Sequence, residues 1–292
     1  MLIKSHAKIN LFLEILGKNK KNYHELESLI AFLDIFDEIK INKSNKLSLK
    51  FFGKYADFLN NDSQENIILK TIKFMSEEFN FEPNLEINLT KNIPIQAGLG
   101  GGSANSASII LALNKIYNLK LNKETLIKIG LKMGCDVPIC LNNKMALIKG
   151  IGEKLIDVNL KNENLFVVVI NPNQHLSTAR IFNNLEIKEN LKQEIKENHN
   201  IIETIKNRKN DLEKTAIKYA PKIAEILSEI KKQENCLISR MSGSGSTCFG
   251  LFYKESEAKN ATENLTKRYP DFYIKTSKLI YKKQIDSIKN MM

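Results

Sequence analysis

The length, composition and charge of this chain exclude several classes of protein. Its 292 residues, of which 42% are apolar and 26% charged, are typical of one large or two modest globular domains, not of a disordered or fibrous chain. No apolar run approaches the roughly 18 to 20 residues of a membrane-spanning helix, and the N-terminal stretch carries a lysine and a histidine where a secretory signal is apolar. We therefore expect a cytoplasmic protein with no membrane partner.

The basic excess and the cysteines leave two functional classes open. The 44 lysines and arginines exceed the 33 acidic residues, and the net charge of +11 favours anionic ligands, either phosphorylated small molecules or RNA. The basic residues are spread along the chain without the interleaved aromatic residues of a nucleic-acid platform, so we expect no nucleic-acid partner. The four cysteines lack the paired spacing of a zinc site, and we expect them to be reduced packing residues.

The first half of the chain is predicted to contain β-strands and amphipathic helices. Runs rich in β-branched and aromatic residues alternate apolar with polar positions, which favours strands, and segment 65–80 places its apolar residues on one helical face. Serine and asparagine begin the alanine-rich segment after Gly102, which favours a helix start. The predicted strands cover residues 7–16, 28–36, 37–42, 47–52 and 85–89, and the predicted helices cover residues 65–80, 103–117 and 123–132.

The second half begins where the chain becomes polar, at about residues 157–164. This change in composition predicts a boundary between an N-terminal domain of residues 1–157 and a C-terminal domain of residues 158–292. Beyond it, apolar runs predict strands, and lysine- and glutamate-rich segments predict helices. The predicted strands cover residues 165–170, 237–241, 248–253 and 273–280, and the predicted helices cover long stretches of residues 185–232 and then residues 255–268.

A glycine-rich stretch, PIQAGLGGGSANSA from Pro94 to Ala107, is the most informative part of the sequence. Four glycines within residues 98–102 leave backbone N–H groups free to converge on an anion, and the helix that follows adds the positive end of its dipole. The stretch lacks the lysine of a Walker loop, and Ser103 stands where a dinucleotide-binding fingerprint has its third glycine. We interpret it as a phosphate-binding loop, and a flexible surface turn is the alternative.

Three further segments place polar side chains on strands or turns. Lys8 and Asn10 lie on one face of a predicted strand, where a lysine is either solvated or functional. Asp136 follows a glycine and precedes a Val-Pro pair that is expected to stop any helix, so its carboxylate is a cap, a proton acceptor or a metal ligand. The turn SGSGS at residues 242–246 is either a second wall of the phosphate site or simply a tight turn.

Taken together, these segments resemble the signature motifs of the GHMP kinases and occur in that family's order. The strings AKINLFL, NYHELES, GLGGGSANSA, GCDVP, KGIGEKL and SGSGSTCFG spread over nearly the full length of the chain. They are most similar to the branch that phosphorylates the 2-hydroxyl of 4-diphosphocytidyl-2-C-methyl-D-erythritol in the non-mevalonate isoprenoid pathway. The resemblance implies an α+β fold of two domains, an N-terminal ATP-binding domain like a ribosomal-protein domain and a C-terminal ferredoxin-like domain, with the active site in the cleft between them.

The resemblance also implies roles for individual residues. Asp136 would take the proton from the attacking hydroxyl, and Lys8 would orient that hydroxyl and offset charge. ATP and Mg2+ are the implied cofactors, with Ser103 near a Mg2+ ion that is held mainly through ATP. The implied ATP-binding residues are Asn66, toward the adenine, and Pro94, Ile95, Gln96, Ala97, Gly98, Leu99, Gly100, Gly101, Gly102, Ser103 and Ala104. The implied substrate-binding residues are Tyr23 and Phe182, which would stack on the cytosine, His24, which would read its edge, and Asn10 and Thr178, which would hold polar parts. Ile151, in the turn of residues 150–152, would add a backbone contact.

Two residues depart from the family pattern, and other functions stay open. Ala97 stands where many members have glycine and Ala104 where a serine is frequent, and a methyl group is tolerated if the backbone there keeps a negative φ. The same fold could serve a homoserine or mevalonate kinase, whose substrates have no base to stack. A basic RNA-binding protein is the alternative from another class, and the expected assembly is a monomer or weak homodimer.

Overall fold

The computed structural model describes residues 1–59, 66–142, 144–161, 164–186 and 199–281 of the chain. Within these residues, strands and helices mix as in an α+β protein. The strands are β1 (Leu2–Lys18), β2 (His24–Lys43), β3 (Ser48–Phe52), β4 (Leu85–Thr90), β5 (Ala146–Gly150), β6 (Lys154–Asp157), β7 (Phe166–Asn171), β8 (Ile238–Met241), β9 (Cys248–Phe252) and β10 (Tyr273–Ile280). The helices are α1 (Ile67–Phe79), α2 (Gly101–Ile116), α3 (Lys123–Met133), α4 (Val137–Asn142), α5 (Thr178–Asn183), α6 (Ile201–Ile205), α7 (Glu213–Tyr219), α8 (Lys222–Lys231) and α9 (Glu255–Arg268).

A single hydrogen-bonded sheet is organised by β2. β1 and β2 form a long antiparallel pair, from Leu2 opposite Lys40 to Lys18 opposite His24. β2 also pairs with β4, β5 and β10, and the main path runs β3-β4-β2-β10-β7-β9-β8. β1 reaches the second half of the chain as well, because the backbone of Leu13 bonds to residues 209 and 211. Polar residues on β1 therefore lie beside both halves of the chain.

The strand β10 connects the two halves within this sheet. It pairs with β7 over most of its length, and its last residues, Leu279 and Ile280, lie opposite Leu33 and Phe32 of β2. The predicted domain boundary at residues 157–158 falls between β6 and β7. That boundary stays a prediction, since β10 belongs to the sheet of both halves.

The helix α2 is embedded against the N-terminal part of the sheet. Ile109 and Leu113 of α2 are fully buried, as are Ile72 and Met75 of the amphipathic helix α1, which packs beside it. Each fully buried aliphatic side chain stabilises this packing by roughly 1.5–3 kcal/mol. The core therefore holds α2 firmly, with its glycine-rich N-terminus at the edge of the sheet. None of the helices in the described part of the chain is both long and apolar enough to cross a lipid bilayer.

Many predicted elements are confirmed where the pattern is local and regular. The predicted helix 255–268 and strand 273–280 coincide with α9 and β10, and the predicted strand 85–89 lies within β4. The strands predicted at 28–36 and 37–42 are one strand, β2, because the alternation of burial continues through Asp37. The short elements α5 and β6, of six and four residues, had no sequence prediction, since they are too short to display a period.

The prediction that the Val-Pro pair stops a helix is wrong, because α4 begins there. Pro138 lies in the first turn of α4, where a backbone N–H has no helical partner to lose. Asp136 therefore lies immediately before a helix, and its carbonyl accepts a hydrogen bond from Cys140 N at 3.4 Å. The helix after the glycine run also begins earlier than predicted, at Gly101, so the last glycines form the first turn of α2.

The prediction of long helices over residues 185–232 is also wrong. α6, α7 and α8 cover only five, seven and ten residues. Asn200 caps the start of α6 through its side chain, and Pro221 precedes α8, so side-chain capping and proline interrupt the lysine- and glutamate-rich stretch. Residues 187–198 of this prediction lie outside the described residues.

Candidate active site

Two neighbouring cavities meet at the glycine-rich loop, which we define as residues 94–104. The larger cavity, the main cleft, has a volume of about 1300 Å3 and lies between this loop, the β1–β2 pair, α5 and the turn of residues 242–246. The second cavity, of about 530 Å3, lies between the loop and the start of α1. Residues that line both cavities are Gln96, Gly98, Gly100 and Ser103. The loop is therefore the partition between two spaces that could each hold part of a small-molecule ligand.

Lys8 and Asp136 lie together at the floor of the main cleft. The side chain of Lys8 is 4% exposed, and its Nζ lies 3.0 Å from Asp136 Oδ2. Lys8 Nζ also donates to Asn10 Oδ1 at 2.7 Å, and Asn10 Nδ2 donates to Ser28 Oγ at 2.8 Å. The Asp136 side chain is 40% exposed and faces the cleft. A buried cation is thus paired with a carboxylate that a ligand can reach.

The glycine at position 100 makes room for the Lys8 side chain. Gly100 has a φ of +66°, and a Cβ atom there would lie 2.7 Å from Lys8 Cγ. The backbone N–H of Lys8 donates to Leu99 O at 2.9 Å, which ties β1 to the loop. The conformation and the close approach both require glycine at this position. The position of the Lys8 side chain therefore depends on the conformation of the loop.

Most of the rest of the loop lines the cavities, and the loop leads into the first turn of α2. Gln96 and Gly98 have positive φ values of 51° and 75°, whereas Ala97 is not among the residues with positive φ, so its methyl group is tolerated. Ala104 lies inside α2, and its N–H makes the first helical bond, to Gly100 O at 2.9 Å. The preceding N–H groups have no carbonyl partner within the helix. The first turn of α2 is therefore suited to an anion.

The turn of residues 242–246 packs directly against the loop and β1. Ser242 Oγ donates to Gly98 O at 3.1 Å and accepts from Asn10 N at 3.1 Å. A Cβ atom at Gly98 would lie 2.7 Å from Ser242 O, so glycine is needed for this contact. Asn210 Nδ2 donates to Met241 O and Gly243 O, each at 2.8 Å. Of the two alternatives left open by the sequence, the structure places this turn as a wall of the main cleft.

The far end of the main cleft is aromatic. Tyr23, which is 60% exposed, lines it together with His24 and Phe182, and the His24 and Phe182 rings lie 5.4 Å apart at 41°. Burial first, and then the charge of Lys18, lower the pKa of His24, so the imidazole is neutral near pH 7. Thr178 Oγ1 lies 2.7 Å from Ser244 Oγ. These side chains give the cleft an aromatic end, which suits an aromatic ligand.

Most of the remaining predicted residues line the two cavities as well, but Leu99 and Ala104 line neither, because their side chains are buried in the hydrophobic core. Ile151 lines the main cleft and is 42% exposed, but its backbone N–H, which the resemblance offers to the substrate, donates to Glu153 Oε2 at 2.7 Å. Asn66 lines the second cavity and caps α1, with Oδ1 accepting from Ile68 N at 2.9 Å. Ser103 lies between the two cavities. The structure therefore brings most of the candidate residues of both halves around two cavities that share the glycine-rich loop as a wall.

Sequence reasoning missed a buried charged cluster behind the cleft. Arg208 donates to Glu14 Oε2 at 2.8 Å and to Glu27 Oε1 at 2.5 Å, and its guanidinium lies 3.9 Å from the ring centre of Phe12. Lys149 Nζ lies 2.8 Å from Glu27 Oε2. The two glutamates come from β1 and β2, whereas Arg208 comes from the second half of the chain. No pattern in the sequence marks this cluster, because its members are far apart along the chain.

The cysteines are free thiols, but one of them does not pack in the core. Cys140 and Cys248 are buried as expected, whereas Cys135 is exposed and lines the main cleft beside Asp136. Partial burial, and next the charge of Asp136, raise the pKa of the Cys135 thiol. The thiol is therefore protonated at neutral pH, which makes it a weak nucleophile.

The side chains around the loop fit a magnesium ion that is bound mainly by a nucleotide. In the part of the chain that the structure describes, no group of three or more His, Cys, Asp or Glu side chains could hold a metal by itself. Ser103 and Asp136 nevertheless supply oxygen atoms that face the same cleft. Mg2+ prefers such oxygen ligands and usually combines one or two of them with phosphates and water.

Comparison with known proteins identifies the family. The family model described as GHMP kinases N terminal domain matches residues 66–144, and the one described as GHMP kinases C terminal matches residues 187–271. A 4-diphosphocytidyl-2-C-methyl-D-erythritol kinase from Ehrlichia canis (strain Jake) is 36% identical over 285 residues, which cover 96% of this chain and 99% of the relative. The chain belongs to the 4-diphosphocytidyl-2-C-methyl-D-erythritol kinase family of the GHMP kinases.

Solved structures agree with this membership. A crystal structure of a 4-(cytidine 5'-diphospho)-2C-methyl-D-erythritol kinase is 26% identical, with a TM-score of 0.78, and the match covers 96% of this chain and 99% of that one. A homoserine kinase from Cytophaga hutchinsonii, at 16% identity, shares the fold with a TM-score of 0.67 over 97% of this chain and 95% of its own. The chain is therefore an ATP-using kinase with the α+β fold of the GHMP kinases. Its membership does not favour an RNA-binding protein.

Proposed function

We propose that this kinase transfers the γ-phosphoryl group of ATP to the 2-hydroxyl of 4-diphosphocytidyl-2-C-methyl-D-erythritol, a step of the non-mevalonate route to isoprenoid precursors. One observation carries the proposal. The Lys8–Asp136 pair, 3.0 Å apart, lies in a cleft that has the glycine loop on one side and the aromatic residues Tyr23, His24 and Phe182 on the other. This order matches a substrate with a reactive hydroxyl at one end and a pyrimidine base at the other.

The pair supplies the proton transfer and the positive charge that the reaction needs. Asp136 takes the proton of the hydroxyl, whose oxygen lone pair forms the new bond to the γ-phosphorus, while the bond to the β-γ bridging oxygen breaks and ADP leaves with that electron pair. The Lys8 ammonium has three N–H donors, of which Asn10 and Asp136 occupy two. The third can reach a phosphoryl oxygen and offset its charge. Because the transition state is loose, this positioning and charge compensation provide most of the catalysis.

The loop and the second cavity supply the proposed ATP site. The backbone N–H groups of residues 94–104 and the N-terminus of α2 hold the phosphates. Among the described residues, a Cβ atom at Gly102 would meet only Ile67 Cγ2, at 3.8 Å, so these residues leave open space there. Asn66 lies beside the adenine, and its amide oxygen caps α1 while Nδ2 remains as a donor for the base. Mg2+, bound through the phosphates near the Ser103 hydroxyl, would neutralise phosphate charge.

The aromatic end of the main cleft supplies the proposed cytidine site. Tyr23 and Phe182 stack on the cytosine, and neutral His24 reads its edge with one donor and one acceptor nitrogen. Asn10 and Thr178 bind polar parts of the substrate between the base and the reacting hydroxyl. Ile151 contributes an apolar contact through its side chain. Homoserine and mevalonate have no base that could use this end of the cleft.

A coupled assay of ADP formation tests the proposal. ATP and Mg2+ are supplied with 4-diphosphocytidyl-2-C-methyl-D-erythritol, mevalonate or homoserine as the acceptor. We expect turnover with the first acceptor and a kcat/KM at least about 1000-fold lower with the others, because most of the cleft would be left empty. Faster turnover of mevalonate or homoserine would contradict the proposal. The proposed location is the cytoplasm. The proposed assembly is a monomer or weak homodimer, which size-exclusion chromatography can check, and an RNA titration can check that no nucleic acid binds.

A further inference from the structure

The two ends of the glycine loop are tied to one buried carboxylate, that of Asp37 in β2. Asp37 is 0% exposed, and its Oδ1 accepts from the backbone N–H groups of Asn92 and Ile93 at 2.8 and 2.9 Å, just before the loop. Its Oδ2 accepts from Lys91 Nζ at 2.6 Å and from Asn105 Nδ2 at 3.0 Å, just after the loop. All the donors are N–H groups, which an ionised carboxylate accepts without a proton of its own.

The sheet register explains why Asp37 lies at this point. Glu38 lies opposite Thr90, the last residue of β4, so Asp37 faces the place where the chain leaves the sheet and approaches the loop. On its other side β2 pairs with β1, where Ser5 lies opposite Asp37. The carboxylate is therefore carried by a strand that is paired on both sides. Such a support is rigid enough to position a loop.

Asp37 also keeps a cation beneath the first turn of α2. Lys91 Nζ donates to Ile93 O at 2.7 Å in addition to Asp37, and a Cβ atom at Gly101 would lie 3.1 Å from Lys91 Nζ. Burial lowers the pKa of Lys91, and the charge of Asp37 opposes this shift. Without the carboxylate, the ammonium would be an unpaired buried charge at the positive end of a helix. The ion pair therefore supports the geometry of the loop.

We propose that Asp37 is a positioning residue for ATP, because it holds both ends of the glycine loop so that the loop's N–H groups are oriented before the phosphates bind. Asp37 is not among the residues that line either cavity, so it acts through the loop and not by contact with the nucleotide. A glycine-rich loop with free ends would lose much conformational entropy on binding, and fixing those ends in advance lowers this cost. The inference rests on the proposed nucleotide site.

The test compares three single variants of the full chain. Asp37→Asn keeps the shape of the side chain but replaces one acceptor with an amide donor that faces other N–H groups. Asn105→Ala removes the bond at the α2 end of the loop and leaves the Asp37–Lys91 pair intact, but it also removes a side chain that lines the second cavity, so Asp37→Asn is the variant that decides the test. Asn92→Ala is the matched control from the same segment, because its side chain bonds to Phe36 O while its backbone keeps the bond to Asp37.

Each variant is titrated with a fluorescent ATP analogue and, separately, with 4-diphosphocytidyl-2-C-methyl-D-erythritol, and its thermal midpoint is measured. We expect ATP-analogue affinity to fall roughly 100-fold in Asp37→Asn and roughly tenfold in Asn105→Ala, with cytidine-substrate affinity changed less than about twofold. Asn92→Ala should match the wild type. Two results would overturn the proposal. In one, affinity for the ATP analogue stays at the wild-type value; in the other, it falls as much as affinity for the cytidine substrate.

A double variant keeps the test decisive if Asp37→Asn does not fold. Asp37→Asn with Lys91→Met removes both charges, so it should recover the thermal midpoint. Because Lys91 lines the second cavity, the single variant Lys91→Met measures the direct effect of losing that side chain, and ATP-analogue affinity of the double variant should stay well below that of Lys91→Met. Recovery of nucleotide affinity along with stability would reduce Asp37 to a structural role and overturn the inference. A wild-type chain that binds no ATP analogue would instead contradict the proposed function, together with what rests on it. The two failures are therefore distinguishable.

Discussion

Replacing Gly100 with alanine is expected to slow phosphoryl transfer by displacing Lys8. At its φ of +66°, a Cβ atom on residue 100 would lie 2.7 Å from Cγ and 3.0 Å from Cε of Lys8. Real Cβ atoms do not approach other atoms this closely, so the lysine side chain must shift. That side chain places Nζ 3.0 Å from Asp136 Oδ2. The new methyl group therefore acts on the Lys8–Asp136 pair without touching either charged group.

The magnitude follows from two contributions. The left-handed conformation costs an alanine about 1–2 kcal/mol relative to glycine. Forcing a methyl group into a packed position costs about 1–3 kcal/mol more. The free energy of unfolding should fall by roughly 2–5 kcal/mol, which lowers Tm by roughly 4–10 °C for a chain of this size. Moving the ammonium by about 1 Å should lower kcat on the order of 100-fold.

The matched control is Gly102→Ala, whose Cβ atom would meet, within the described part of the chain, only Ile67 Cγ2 at 3.8 Å. Its Tm should stay within about 2 °C of the wild type. Its KM for ATP should rise, because the methyl group enters the space that we assign to the phosphates. Differential scanning calorimetry and the coupled assay measure both variants. A Gly100→Ala enzyme with wild-type kcat would refute the argument that glycine is needed there to seat Lys8.

Three further substitutions test other parts of the site. Asp136→Asn should lower kcat roughly 1000-fold in the coupled assay, because the proton acceptor is lost, while ATP affinity stays nearly unchanged. Near-normal turnover of this variant would contradict the role of Asp136 as the base. Tyr23→Ala should weaken binding of the cytidine substrate roughly tenfold in calorimetric titrations, without changing the KM for ATP. An equal loss of affinity for a substrate analogue that lacks the base would argue against stacking. Arg208→Met should lower the free energy of unfolding by about 3–5 kcal/mol in urea titrations, because the buried Glu14 and Glu27 lose the guanidinium and Glu27 keeps only Lys149. The exposed control Arg268→Met should leave the free energy of unfolding close to the wild-type value.

The loop and its chemistry could be predicted from the sequence because their constraints are local. Gly98 and Gly100 need positive φ values and close approach of other chain segments, and few residue types satisfy both conditions. Phosphate binding needs backbone N–H groups at a helix start, which also appears as a short string in the sequence. The strand–loop–helix order around Pro94 to Ser103 was predicted for these reasons, although α2 begins two residues earlier than expected.

The supports of the site could not be predicted because their partners are distant along the chain. Asp37 and Asn105 are 68 residues apart, and Arg208 and Glu14 are 194 apart. In the sequence, Asp37 is one acid on a strand and Arg208 one cation in a basic stretch, where exposure is the usual expectation for either residue type. Only the register of β2 and the packing of the second half against β1 show that both are buried and paired.

The position of β10 has a kinetic consequence. This strand lies between β2 and β7 in the sheet, yet its partner residues in β2, Leu33 and Phe32, are separated from Leu279 and Ile280 by most of the chain. Contacts of such high sequence separation form slowly, because the chain must lose loop-closure entropy before they stabilise it. Refolding from denaturant should therefore show a late phase in which the halves join, and the cleft would gain its kinase activity only in that phase.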